Sequence, residues 1–206
     1  MRIDPQALPA ADMYRFMIGA IVPRPIAWVS TRGADGTTNL APFSYFVALS
    51  SAPPLIGISI NDREGDPKDT LRNIRETGEW VVNVVNEPLL AAMVRTAGEW
   101  PRGTSEFAAA GLLPAPSERV GAPCVAESPV RLECRLHREI PLGNSCFVVG
   151  EVMLAHADDA VYTDGRIDAT KLAAVGRLGG ELYQPLREVV KVPRPRVSRA
   201  TGEVLA

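Results

Sequence analysis

Residues 129–157 read PVRLECRLHREIPLGNSCFVVGEVMLAHA. Two runs rich in β-branched residues, Pro129 to Ile140 and Ser145 to Ala157, flank Leu142-Gly143-Asn144. Their length and composition predict the longest hairpin of the chain. Upstream, Leu55 to Ile60 and Trp80 to Val85 are short apolar runs without polar alternation, as expected of strands covered on both faces. Pro25 to Ser30 and Leu40 to Leu49 flank Ala34-Asp35-Gly36 and predict a further hairpin. Six strands are expected. They come with two or three short helices and no regular βαβ alternation, so the pattern predicts a mainly β (α+β) fold built on a closed or nearly closed antiparallel barrel.

The helices are few because turns are many: 18 prolines and 17 glycines interrupt 206 residues. Asp66 as N-cap, Pro67 at the first helical position and Gly78 at the stop predict one ten-residue helix. Glu87-Pro88 opens a second, whose Leu89, Leu90, Met93 and Val94 form an apolar stripe. Gly98 to Gly121 reads as a loop-like insertion, with a short helix over Ser105 to Ala110, placed to cover a site. After residue 186 comes a basic arm, 187–206, in which Lys191, Arg194, Arg196 and Arg199 alternate with Pro193 and Pro195. Residues 1–186 are therefore expected as the domain and 187–206 as an extended appendage.

Several function classes are disfavoured. A net charge of −2 and 6% aromatic residues speak against a nucleic-acid partner. No apolar run approaches the roughly 18 residues of a membrane span, and no leader-like region precedes residue 11, which points to the cytoplasm. Cys124, Cys134 and Cys146 lack C-x-x-C spacing and only His137 and His156 accompany them, so no metal site is expected. Neither G-x-G-x-x-G after a strand nor a P-loop is present, and no G-x-S-x-G elbow supports a nucleophilic serine. Cys134 and Cys146 fall in strands, where inert burial is the usual state.

Two clusters remain. Arg63, Lys68 and Thr70 bring two cations and a hydroxyl to the opening of a helix directly after the strand ending at Ile60. Backbone N–H groups and the positive helix end there suit a phosphate. The other reading is a solvated helix start capped by Asp66, and Glu64, Asp66 and Asp69 offset the positive charge. The second cluster, Asn39 to Phe46, sets small and amide side chains beside aromatics around Pro42. It reads either as the wall of a flat heteroaromatic ligand or as a bulged edge strand.

Taken with Pro23 to Thr31, Ser51 to Leu55, Lys68 to Ile74 and Arg177-Leu178-Gly179-Gly180 with Tyr183, these stretches resemble the flavin reductase-like proteins of the FMN-binding split β-barrel class, which includes flavoredoxins. The resemblance runs over residues 14 to 185. It implies a six-stranded split barrel, a homodimer, and FMN bound noncovalently near the subunit interface. It places Thr31, Asn39, Ala41, Ser44, Tyr45 and Phe46 along the isoalloxazine and ribityl chain. Ser59, Ile60, Asn61, Arg63, Lys68, Asp69 and Thr70 would surround the ribityl tail and phosphate, with Tyr183 near the flavin or the partner subunit. Where some flavin reductases carry Gly-Asp-His, this chain has Gly150-Glu151-Val152.

The function implied is an FMN-binding oxidoreductase that accepts a hydride from NADH or NADPH and passes electrons to free flavin or a partner. The alternative is a flavoredoxin-like electron carrier with no nicotinamide substrate. Because the flavin carries the redox chemistry, no catalytic side chain is named.

Overall fold

The computed structural model describes residues 1–63, 65–101 and 103–205. A helix, α1 (Ala10–Ala20), precedes seven strands of one sheet. These are β1 (Ala27–Arg32), β2 (Thr38–Phe43), β3 (Phe46–Ser51), β4 (Pro54–Asn61), β5 (Glu79–Val84), β6 (Val130–Leu142) and β7 (Ser145–Ala157). Their order is β2-β1-β5-β6-β7-β4-β3. Every neighbouring pair is antiparallel. The hairpin over 129–157 is present, with Ser145 opposite Leu142, and register shifts at Val149/Gly150 and Val152/Leu154 add bend and twist.

The expected count of six strands is corrected to seven. Leu40 to Leu49, read from the sequence as one strand, is two: the chain leaves β2 at Phe43, turns through Ser44 and Tyr45, and starts β3 at Phe46. There it pairs with β4, Phe46 opposite Ile58, and no longer with β1. Pro42 has no N–H for a ladder, which suits β2 to a sheet edge. Since β2 and β3 occupy opposite edges yet are joined by Ser44 and Tyr45 alone, the sheet must curl until its edges nearly meet. The two edges do not pair with each other, so the barrel is split and not closed.

Ala27, Val29, Ile58, Ile60, Trp80 and Val148 are buried together inside the curl, joined by Leu71 and Ile74 of α2 (Asp69–Thr77). Gly150 is required by this packing. A Cβ there would stand 2.1 Å from the Trp80 ring, so the indole occupies the space any side chain would need. The outer face of β1 and β2 is covered too. Trp28 and Leu40 pack with Leu89, Met93 of α3 (Leu90–Thr96) and Phe107 of α4 (Glu106–Ala110). The Trp28 Nε1–H donates to Thr96 Oγ1 at 2.8 Å. In the expected stripe, Leu89 and Met93 are buried but Val94 is exposed, because a 3-10 turn at Glu87–Leu89 shifts the helical phase.

A small second sheet joins the chain's two ends. Arg24–Pro25 pairs with β8 (Val175–Arg177), which pairs with β9 (Tyr183–Pro185). Beyond it the arm is extended, apart from pairing of Arg196–Val197 with Val204–Leu205. Among the described residues, no helix is long and apolar enough to cross a membrane, and no His, Cys, Asp or Glu cluster is placed to hold a metal.

Candidate functional site

The start of α2 departs from its sequence expectation in an informative way. Asp66 does not cap it. Arg63 and Asp66 exchange two backbone hydrogen bonds of 2.8 Å, closing a tight loop, and the Asp66 carboxylate turns toward Arg72 at 3.7 Å. The helix therefore begins at Asp69, with Lys68 in the cap position and making no side-chain cap hydrogen bond. Gly78, with φ of 71°, ends the helix in the left-handed region as the sequence predicts. Glu64, read as opposing an anion here, lies outside the described residues.

Lys68 is half-buried, its ammonium 5.7 Å from the centre of the Phe43 ring. Burial, and then the charge of Arg63, pull its pKa below the ordinary lysine value, with Glu99 opposing. A lysine in that state gains from an anion. Beside it Thr70 is buried and its Oγ1 accepts from Asn39 Nδ2 at 2.9 Å, which holds both side chains in place. Asn39, Ala41, Arg63, Lys68, Asp69 and Thr70 all line one cavity of about 330 Å³. Trp100 and Glu106, from the 98–121 segment, wall its far side. Burial pushes the Glu106 carboxyl up, although its Oε2 accepts the Leu40 N–H at 2.9 Å.

Two more cavities adjoin this one. The first, about 150 Å³, is lined by Ser44, Tyr45, Ser59 and Asn61, and shares Lys68 with the 330 Å³ cavity. The second, about 300 Å³, is lined by Ser44, Tyr183, Arg24 and Arg177. Pro42 and Phe43 line all three, so the crossing between barrel edges is their common wall. Burial, followed by the neighbouring Tyr14, raises the Tyr45 pKa against the pull of Arg24, leaving a neutral hydroxyl at this wall.

Three expected residues line none of these cavities. Thr31 is buried, with its Oγ1 accepting from Asn73 Nδ2 at 2.9 Å. Ile60 belongs to the barrel core, and Phe46 packs against that core. The strand period explains Ile60: Ser59 and Asn61 face the cavity, so the residue between them faces inward. Conversely Phe43, Trp100, Glu106, Arg24 and Arg177 were not expected as site residues. Phe43 stood within the quoted cluster and Arg177 within a quoted motif. Only the fold brings Trp100 and Glu106 to the cavity. The cysteines stay apart from it, all three buried and free. Burial, with Glu139 next in effect, pushes the Cys146 thiol up to about 11, so it is no nucleophile near neutral pH.

Residues 18–171 match the flavin reductase-like domain. The chain belongs to that family. An uncharacterised protein of Halalkalibacterium halodurans is 41% identical over 206 residues, spanning 97% of this chain and 99% of that one. Nitrilotriacetate monooxygenase component B from Bacillus cereus superposes with a TM-score of 0.91 at 37% identity, covering 93% of this chain and 98% of its own. The Pseudomonas fluorescens 2-nitrobenzoate 2-nitroreductase gives 0.88 at 29% identity, covering 98% and 100%. In this flavin reductase-like domain the matched span contains the whole cavity around Lys68 and the Ser44–Tyr45 crossing, whereas Arg177 and Tyr183 lie beyond its end.

Proposed function

We propose that the chain is an FMN-dependent oxidoreductase that takes a hydride from NADH or NADPH and delivers electrons to free flavin or a protein partner. One observation carries this reading: two cavities that share Pro42, Phe43 and Lys68, one holding Lys68, Arg63 and the start of α2, the other lined by Phe43 and the hydroxyls of Ser44, Tyr45 and Ser59. That polarity fits a ring bearing a phosphorylated tail. At that start of α2, Lys68, Arg63 and the Thr70 hydroxyl are the donors for a phosphate, with the helix's positive end behind them. Ser59 and Asn61 offer polar groups for a polyol chain, while Phe43 and Pro42 offer a face to a flat ring. FMN, once bound, supplies the hydride and electron chemistry, and the protein's part is position and exclusion of water.

A nicotinamide-independent carrier is the second reading. It is favoured by Gly150-Glu151-Val152, where Gly150 serves Trp80 and Val152 packs against the core, with no imidazole. The similarity to 2-nitrobenzoate 2-nitroreductase adds an organic molecule that is itself reduced, a nitroaromatic, to the acceptors to be considered. We assign a second copy of the chain as the partner of α1, none of whose residues is buried although Tyr14, Phe16 and Met17 lie on it.

An anaerobic absorbance titration tests the proposal. The protein should bind FMN at about one per subunit, and NADH or NADPH should then bleach the visible band. FMN bound but unbleached by either nucleotide would select the carrier. Unquenched fluorescence of added FMN would overturn both readings.

A further inference from the structure

The cavity of about 300 Å³ carries two arginines against its wall and, among the described residues, no carboxylate in its lining. Arg24 is 5% exposed and neutralised only by dipoles. Its Nη1 donates to the carbonyls of Ile18 and Ile21 at 2.6 and 2.7 Å, and its Nη2 to that of Leu178 at 2.7 Å. The first two are at the carboxyl end of α1, where a cation is favoured. Arg24 is thus spent on structure, fixing α1 and the 177–180 turn to the cavity, yet its charge stays there. Arg177 lies 4.4 Å from the centre of the Tyr183 ring and donates to Tyr183 Oη and the Gly180 carbonyl. A guanidinium has five N–H groups, so part of its fork remains for a ligand.

Burial, and then the charge of Arg24, pull the Arg177 pKa below its usual value. Tyr14 of the lining, and then the carboxylate of Glu181, which is exposed and outside the lining, oppose them. Two desolvated cations facing one space without a counter-charge are costly unless an anion enters. The rest of the wall states what the anion is attached to: Ile26, Phe43, Met93 and Tyr14 are apolar or aromatic. The volume is at the lower end for small-molecule sites and far short of a dinucleotide's needs.

We infer that this cavity seats a small aromatic carboxylate, held through Arg177 with its ring on the apolar wall, as the substrate that meets the cofactor across Pro42-Phe43-Ser44. The inference rests on the flavin reading for the meeting and on the cavity alone for the binding. Isothermal titration of the full chain, with and without FMN added, separates the two. Benzoate should bind at least tenfold more tightly than benzamide, its neutral counterpart, because the charged contact is the difference. Arg177→Gln should remove that preference, and Arg177→Lys should keep part of it.

Equal affinity for benzoate and benzamide would overturn the proposal and needs no variant to be read. Pyrophosphate binding more tightly than benzoate would overturn the carboxylate and give the seat to a nucleotide's diphosphate. If benzoate preference holds while FMN fails to bind, the flavin reading falls and the anion seat stands. FMN binding without benzoate preference is the reverse.

Discussion

Lys68 shows how one side chain is set by its neighbours. Partial burial and Arg63 beside it disfavour its charge, while the Phe43 ring beneath it attracts the ammonium and holds it in place. An anion relieves both penalties at once. Lys68→Ala should therefore weaken FMN by tenfold or more, since a charge-assisted contact contributes about 1.5–3 kcal/mol. Riboflavin, lacking the phosphate, should be affected much less, and fluorescence titration of the two flavins checks it. Equal losses would remove Lys68 from the phosphate. The cluster of Arg63, Lys68 and Thr70 was legible because strand end and helix start are local features. The role of Asp66 was not, since the Arg63–Asp66 loop that diverts it depends on backbone hydrogen bonds no propensity encodes.

The β6–β7 hairpin was legible at the level of elements because β-branched runs and a Gly-Asn turn are adjacent in sequence. The β2–β3 break was not, because Ser44 and Tyr45 do not interrupt the apolar pattern. What separates the strands is their choice of different partners across the curl. A second element-scale feature lies in β6, where Glu133 is fully buried. Its carboxylate accepts from the N–H groups of Glu118 at 3.0 Å and Arg119 at 2.6 Å, and meets His156 Nε2 of β7 at 2.6 Å. Burial alone would push this carboxyl up. The Glu118 N–H, His156 and the Arg119 N–H outweigh it, so the group titrates below its usual value. A depressed folded-state pKa means stabilisation present above the unfolded value and lost as pH falls through the folded one. Glu133→Gln should lower stability by about 2 kcal/mol near neutral pH. It should also flatten the acid limb of a Tm-against-pH curve. An acid limb unchanged by the substitution would show that Glu133 does not couple folding to protons.

For the whole molecule, the apolar surface that one chain leaves open decides how copies associate. No residue of α1 is fully buried, Val47 and Leu49 on the edge strand β3 are exposed, and the arm presents Val189, Val190 and Val192 at 57%, 86% and 77% exposure. Arg187 forms an exposed ion pair with Glu87 at the start of this segment. Three β-branched apolar residues within four positions gain nothing from solvent, and the prolines that follow keep the segment extended without a core of its own. A strap across a second copy would cover them. It would run from β9, whose Tyr183 lines the Arg177 cavity, so the arm's docking and the shape of that cavity are mechanically linked. Truncation after Pro185 should accordingly weaken the dimer and lower FMN retention together. Sedimentation velocity at micromolar concentration, with flavin absorbance followed in the same cell, reads both. A truncated chain that sediments as the intact dimer with its full FMN content would show the arm to be a tail, and would leave α1 and β3 as the surfaces that hold two copies together.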